Sequence, residues 1–456
     1  MNLESLKSKS IYIFGLGISG LSLAKKLKNI CTQLYCWDDS NKVRRKAIRL
    51  GLNLKKLLDV DLNNIDFVIL SPGISKEYNR LFLNKKKRVN IVSDIEFLRF
   101  ISERIKLIGV TGTNGKSTTT KMLEHSLEHL NVKIAGNIGT PFSELKLSSK
   151  KENLLIIETS SYQLERIHKL NFKIAILLNI SSDHLERHKT IENYILAKLN
   201  IFKNQSKTDY ALISADDKYC RNISSDFRQK FESKPILFSI KTKLKKGIYL
   251  QDNGDILEIT NNVHDEIVKL PKKDLKIYGE HNYQNLLATY IVHKLLKSKT
   301  KLFVEKCKTF LGLEHRLERL GKFKNIIIFN DSKSTNLNSS VGALECLENI
   351  FWIAGGLSKK EEFSGVEKHL TNVKKVFLFG KDKLKLLSYF DNREAYTFSN
   401  LNLAFDYAFE LALKNTGTVN LLLSPACASF DQFRNFEERG KKFKSLVKKK
   451  ILSYKT

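Results

Sequence analysis

The sequence predicts an α/β protein with largely parallel sheets, organised in about three domains. Three observations carry this expectation. Short β-rich apolar runs alternate with helical patterns almost from end to end, as in strands joined by crossover helices. Two of the runs lead into glycine loops that open helices. The 456 residues suffice for three domains at roughly 100–200 residues each.

The first unit opens with a strand at Ser10–Phe14, a helix start over Gly20–Leu27 and a second strand at Gln33–Trp37. Another strand over 66–70 ends at Ser71-Pro72-Gly73. A second unit begins near Glu103, where strand Ile105–Val110 runs into a glycine loop and helix. Strands follow at Leu154–Glu158, Lys173–Asn179 and Tyr210–Ser214. From about 235 to 277 the chain has short strands and turns, with Asn253-Gly254 as a hairpin signal, and reads as a small β appendage. A helix follows Gly279, and Lys297–Lys301 reads as a linker. The last unit has strands over 326–329, 350–354, 375–379 and 418–423. The expected domains are 1–102, 103–300 and 301–456.

Composition excludes several classes. Apolar residues at 42% and charged residues at 28% suit a globular chain that needs no disulfide staples. The six cysteines form no C-x-x-C pair and read as reduced thiols, so a cytoplasmic protein is expected. No apolar run approaches the ~20 residues of a membrane span, and the polar first ten residues lack the apolar stretch of a signal peptide. The net charge of +30 raises nucleic acid or a membrane surface as partners. The lysines are spread along the whole chain without an Arg-rich arm, so a lysine-biased solvated surface is the preferred reading. No specific nucleic acid is expected, and a monomer is.

Gly15-Leu16-Gly17-Ile18-Ser19-Gly20 follows a strand and opens a helix, with Asp38-Asp39 closing the next strand. Such glycines let backbone N–H groups approach a diphosphate, and an acid at that spacing can bind a ribose or base edge. A nucleotide diphosphate site is favoured over a structural turn, but the motif does not name the nucleotide. Thr111-Gly112-Thr113-Asn114-Gly115-Lys116-Ser117-Thr118 decides more. A loop of this kind cradles phosphates, with the lysine on the β- and γ-phosphates and the serine on Mg²⁺. Val110 stands at the position of the first glycine of the strict phosphate-loop pattern, yet the G-K-S ending points to ATP.

Glu158 closes a strand beside this loop and reads either as a Mg²⁺ ligand or as a cap. Asn179, Asp183 and His184 follow another strand. His184 and His188 stand four apart, which without a third ligand is no zinc site. Lys198, by composition alone, is a surface lysine. In the last unit, strands end in Asn330-Asp331-Ser332-Lys333-Ser334-Thr335-Asn336, in Gly355-Gly356 with Lys359, and in Ser424–Phe433. Three such ends make a ligand crevice at the carboxyl edge of a sheet. Cys427, without a neighbouring histidine, reads as a packed small residue rather than a nucleophile.

With Gly136-Asn137-Ile138-Gly139, His281-Asn282, Asn285 and His315-Arg316, these motifs run in order over nearly the whole chain and resemble those of the Mur ligases of bacterial cell-wall synthesis. The phosphate loop is shared with folylpolyglutamate synthetase. The segment Pro425–Asp431 is similar to that of the D-glutamate-adding member. The resemblance implies a Rossmann-like domain (1–102) for a uridine diphosphate moiety and a central P-loop ATPase-like domain (103–300) with a parallel sheet. It also implies a C-terminal Rossmann-like domain (301–456) that brings the amino acid. The implied reaction is ATP-driven amide formation through an acyl phosphate, with UDP-N-acetylmuramoyl-L-alanine and D-glutamate as substrates, and ATP and two Mg²⁺ ions as cofactors.

Roles follow from the same resemblance. Lys116, Glu158, His184 and Lys198 are the implied catalytic residues. Gly112 to Thr118, Asn282, Arg316 and Asp331 contact ATP. Ser117 and Glu158 hold one ion, and His184 with a carbamylated Lys198 holds the other. Ser19, Asp38, Asp39, Gly73, Asn137, Ser160 and Gln163 lie near the UDP-sugar, and Thr335, Lys359, Ser429 and Phe430 are expected at D-glutamate. Ser40 departs from the arginine of some members. The rival expectations are another Mur-type or folylpolyglutamate-type ligase, and a basic nucleic-acid-binding NTPase.

Overall fold

The computed structural model describes residues 3–74, 89–101, 105–147, 152–260, 263–358, 363, 365–390 and 392–454. The chain is α/β with largely parallel sheets and falls into two compact units. One comprises Met1–Leu275 with Tyr283–Lys308, the other Lys276–Asn282 with Thr309–Thr456.

The first unit contains two sheets. β1 (Ser10–Phe14), β2 (Gln33–Trp37), β3 (Phe67–Leu70) and β4 (Asn90–Val92) form a parallel sheet in the order β2-β1-β3-β4. Successive side chains of a strand point to opposite faces. Ile11 and Ile13 therefore join one core cluster, and Tyr12 and Phe14 another. Burial on both faces is what an unbroken apolar run in a parallel strand provides for.

The larger sheet contains β5 (Ile105–Thr111), β6 (Val132–Gly136), β7 (Asn153–Glu158), β8 (Ile174–Leu177), β9 (Tyr210–Ser214), β10 (Lys234–Ser239), β11 (Gly247–Leu250), β12 (Ile256–Thr260) and β13 (Val263–Val268). Their order is β13-β12-β11-β10-β9-β8-β5-β7-β6. The strands expected as a separate appendage continue this sheet. β10 pairs parallel with β9 and β11 with β10, and only β12 and β13 turn antiparallel. The expected linker is also shorter than read, because a helix, Thr300–Thr309, begins inside it.

The two sheets of this unit are tied together by polar contacts. The buried Glu96 carboxylate accepts three backbone N–H groups, from His168, Lys169 and Leu170, at 2.8, 2.9 and 3.3 Å. Arg187 donates to the Pro72 carbonyl at 2.6 Å and Arg166 to that of Ile74 at 3.2 Å. The Ser71-Pro72-Gly73 turn after β3 is thereby held against elements of the second sheet.

The second unit contains β14 (Glu318–Phe323), β15 (Ile326–Asn330), β16 (Ile350–Gly355), β17 (Val373–Phe379), β18 (Ala395–Phe398) and β19 (Val419–Leu423). They are ordered β14-β15-β19-β16-β17-β18, and only β14 is antiparallel. β15, β19 and β16 are therefore consecutive, which brings their polar carboxyl ends to one edge.

Candidate active site

β5 delivers the chain into the glycine loop, and the helix Lys116–Ser126 leads away from it. A helix N-terminus presents unpaired N–H groups and a partial positive charge, the natural seat of a phosphate. At Gly115, with φ of +83°, a Cβ would stand 2.4 Å from Asn285 Oδ1, so only glycine permits this approach. Asn285 Oδ1 accepts from the Thr119 hydroxyl at 3.0 Å. On the other side Asn179, just past β8, accepts from the Asn114 N–H through Oδ1 at 2.8 Å and from the Thr113 N–H through its carbonyl at 2.9 Å. Asn179 in turn donates to Gln284 at 2.9 Å. The loop is thus braced from β8 and from the helix Glu280–Leu295. Lys116 folds back over it, donating to the carbonyls of Gly112 and Thr113 at 2.9 and 2.7 Å.

Glu158, at the end of β7, is 1% exposed. Its Oε1 accepts from Asn137 Nδ2 at 3.0 Å, while its buried Oε2 has no hydrogen-bond donor among the described residues. An unsatisfied buried carboxylate oxygen is costly. A hard divalent cation satisfies such an atom, so Glu158, paired with Val110 on the strand that leads into the glycine loop, fits a Mg²⁺ ligand, as does the hydroxyl of Ser117 at the start of the helix.

Lys198 corrects the composition reading. It lies on the helix Ile191–Leu199 and is buried, not a surface lysine. Its Nζ donates to the Gly112 carbonyl at 2.8 Å, the oxygen that Lys116 also uses, and lies 4.6 Å from the centre of the Tyr194 ring. Burial, reinforced by the Lys116 ammonium, pushes the Lys198 amine well below its ordinary range. As an ammonium it does not fit a cation site; as a neutral amine it is ready to take up CO₂. His184 is half-exposed in the left-handed region, with Asp183 Oδ2 at 3.6 Å and Glu186 Oε1 at 3.4 Å from its ring nitrogens. His188 instead turns inward, with Nε2 at 3.0 Å from Ser161 Oγ and Nδ1 at 2.9 Å from Glu165.

On the side of the first sheet, a Cβ at Gly20 would stand 2.1 Å from the Gly15 carbonyl, so this close turn needs glycine. Asp38 spends both oxygens on backbone, accepting from Leu16 N–H at 2.7 Å and from Ser40 N–H at 2.8 Å. It pins the glycine loop to the end of β2. Asp39 accepts from Trp37 Nε1 at 3.2 Å. Gly73 and Asn137 are exposed and Ser19 is half-buried. Ser160 and Gln163 form a reciprocal capping box on the short helix Ser161–Leu164.

In the second unit Asp331 lies just past β15 and is buried. It accepts from Leu317 N–H at 3.0 Å and from the Ser334 and Ser424 hydroxyls at 2.6 and 2.7 Å. Burial pushes its carboxyl up to about 6, against these donors and the Arg316 guanidinium. Asn282 donates to the Tyr278 carbonyl at 2.6 Å. Thr335 is half-buried, Ser429 buried, and Phe430 projects with 71% exposure. Asn435 caps the helix Phe436–Ser453. Cys427 is packed, its carbonyl accepting from Arg439. Lys359 lies outside the described residues.

Residues 110–293 match the Mur ligase middle domain. The whole chain is 36% identical over 456 residues to the UDP-N-acetylmuramoylalanine–D-glutamate ligase of Rickettsia prowazekii, covering 98% of this chain and 99% of that one. The chain belongs to the Mur ligase family. A second relative of the same description, from Rickettsia felis, is 37% identical and covers 98% of each chain. Among solved structures, the MurF ligase of Thermotoga maritima in complex with ADP shares the fold with a TM-score of 0.58 at 17% identity, over 99% of this chain and all of that one.

In this Mur ligase, Lys116 and Lys198 meet at the Gly112 carbonyl past β5, and Asn137 meets Glu158 at the end of β7. Gln284 and Tyr194 escaped the sequence reading, although both touch the loop system. Gln284 donates to Ser214 and Asp216 while accepting from Asn179, and the Tyr194 hydroxyl lies 3.2 Å from Thr113 Oγ1. The only signal for Gln284 was its place beside Asn285.

Proposed function

We propose that this Mur ligase adds D-glutamate to UDP-N-acetylmuramoyl-L-alanine in peptidoglycan precursor synthesis, consuming ATP and releasing ADP and phosphate. The observation that carries the reading is full-length identity to D-glutamate ligases, joined to a phosphate loop flanked by the open oxygen of Glu158. On this reading residues 1–102 bind the UDP moiety in a Rossmann-like domain, 103–300 bind ATP in a P-loop domain, and 301–456 bring the amino acid. The enzyme works as a cytoplasmic monomer.

The substrate carboxylate attacks the γ-phosphorus of ATP, and ADP leaves. The neutral amine of D-glutamate then attacks the acyl carbon and phosphate departs, which forms the amide. Gly112 to Thr118 and the helix behind them hold the phosphates in line, and Lys116 neutralises charge as it develops on the transferring group. Asn282, Arg316 and Asp331 serve the ATP side. Ser117 and Glu158 would hold one Mg²⁺, and His184 with a carbamylated Lys198 the second; bound there, the ions would supply Lewis-acid polarisation of phosphoryl oxygens. Ser19, Asp38, Asp39, Gly73, Asn137, Ser160 and Gln163 line the UDP-sugar. Thr335, Lys359, Ser429 and Phe430 are assigned to D-glutamate.

An amide-forming assay with UDP-N-acetylmuramoyl-L-alanine and ATP tests this, with D-glutamate, L-lysine and diaminopimelate offered in parallel. Ligation of D-glutamate alone is expected. Preference for either of the other amino acids, or ATP turnover that needs no acceptor, overturns the reading.

A further inference from the structure

One buried carboxylate stands between the glycine loop after β1 and the capped turn after β7. Asp94 opens the 3₁₀ segment Asp94–Phe100, soon after β4, and is 4% exposed. Its Oδ1 accepts from Gln163 Nε2 at 3.3 Å and from the Ile95 N–H at 2.9 Å. The Ser19 hydroxyl stands beside it as a further donor that favours the carboxylate. Gln163 continues the chain, its Oε1 accepting from the N–H and hydroxyl of Ser160 at 3.2 and 3.3 Å. An unbroken polar path therefore runs from Ser19 in the first sheet's loop, through Asp94 and Gln163, to Ser160 two residues past Glu158.

A carboxylate is a costly way merely to fill space. Burial pushes the Asp94 carboxyl up, and its donors only partly offset this. Apolar packing would carry no such penalty. What the acid adds is direction, since it faces Gln163 and Ser19 on two helices that follow strands of different sheets. Two residues on, Glu96 locks the same segment to residues 168–170, so the connection is fixed on the side of the second sheet.

We propose that Asp94 is a positioning residue that fixes the span between the UDP loop and the Ser160–Gln163 turn, and so selects a substrate that reaches from one to the other. The inference rests on the functional reading above. A long substrate gripped at both ends depends on this span, because reacting atoms must meet within a few tenths of an ångström of their productive geometry. UDP alone, ATP and D-glutamate are not gripped at both ends and do not depend on the span.

Steady-state kinetics of Asp94→Ala and Asp94→Asn, with thermal melts of each, test the proposal. Asp94→Ala should raise the KM for UDP-N-acetylmuramoyl-L-alanine about ten- to a hundredfold, the effect of losing one charged hydrogen bond. The KM for ATP and D-glutamate and the calorimetric Kd of UDP should move less than about twofold. Asp94→Asn, which keeps the Oδ1 acceptor, should recover most of the loss. If Asp94→Ala does not fold, Asp94→Ser, which keeps a small polar group but shortens the reach to Gln163, takes its place with the same controls. A parallel rise in all constants, or an unchanged KM for the long substrate, overturns the proposal. Absence of D-glutamate ligation by the unaltered enzyme would instead sink the functional reading. The span is then judged by calorimetry, comparing the UDP-sugar with UDP in the same variants.

Discussion

Two lysine side chains donate to a single carbonyl, that of Gly112, and the buried one is held well below its normal range. Two ammonium groups at one oxygen repel each other, and Lys198, the buried one, is the member whose charged form is disfavoured. A neutral buried amine adds CO₂, releases a proton and becomes an anionic oxygen ligand. We expect intact-protein or peptide mass analysis under CO₂ to show one added CO₂ on Lys198. Lys198→Ala should lose activity, partly restored by small carboxylic acids; an unmodified, dispensable Lys198 would end this account. None of it was legible from the residue's place in a helical pattern, since burial is decided by what packs against that helix. His293 makes a second residue-scale case. It is 1% exposed against Phe303, and burial, then His129, push its imidazole down to about 4. A histidine whose folded value lies below its unfolded one contributes fully above about pH 6.5. That contribution fades as pH falls toward about 4, because the unfolded chain takes up the proton first. The loss amounts to about 3 kcal/mol. His293→Phe should flatten the fall of Tm between those pH values; an unchanged slope would show that the imidazole does not titrate on unfolding.

At the scale of elements, the phosphate loop is the part the sequence displayed best. Strand, glycines, lysine and helix follow one another within a dozen residues, and the local conformation needs little from elsewhere. Lys116→Ala should reduce ligation by about 10²–10³ with the fold intact by circular dichroism, the scale of removing one electrostatic stabiliser. Near-normal product formation by that variant would detach the loop from catalysis. The strands the sequence concealed have a shared cause. β4, β6, β14 and β18 each lie at the edge of a sheet. β18 is half-buried throughout and β14 has no fully buried residue, so neither shows an apolar run. Central strands such as β7 and β16, buried at every position, were read within one residue. The same logic explains the appendage: β10 to β13 are short and turn-rich in sequence, and only pairing with β9 shows that they extend the main sheet. Within the site, residues at strand ends were legible. Gln284 and Tyr194 act from helices that reach the loop only in the folded chain.

At the scale of the whole molecule the excess of 78 basic over 48 acidic residues asks for an account. Most of the ion pairs lie at the surface, where each contributes at most about 1 kcal/mol. The charge is therefore better understood as a field than as a set of bonds. ATP, D-glutamate and a UDP-linked carboxylate are all anions, and a positive surface raises their rate of encounter. The same field attracts DNA, but without shaped contacts that attraction is counterion release alone and falls steeply with salt. The two explanations separate on ionic strength. If the field serves the substrates, kcat/KM for the UDP-sugar should decline as salt rises from low to physiological, over which the Debye length shrinks to about 8 Å, while kcat stays nearly constant. Duplex DNA binding followed by fluorescence anisotropy should vanish over the same range. Submicromolar, sequence-dependent DNA binding at physiological salt would give the charge a different purpose, and a salt-independent kcat/KM would remove steering as its explanation.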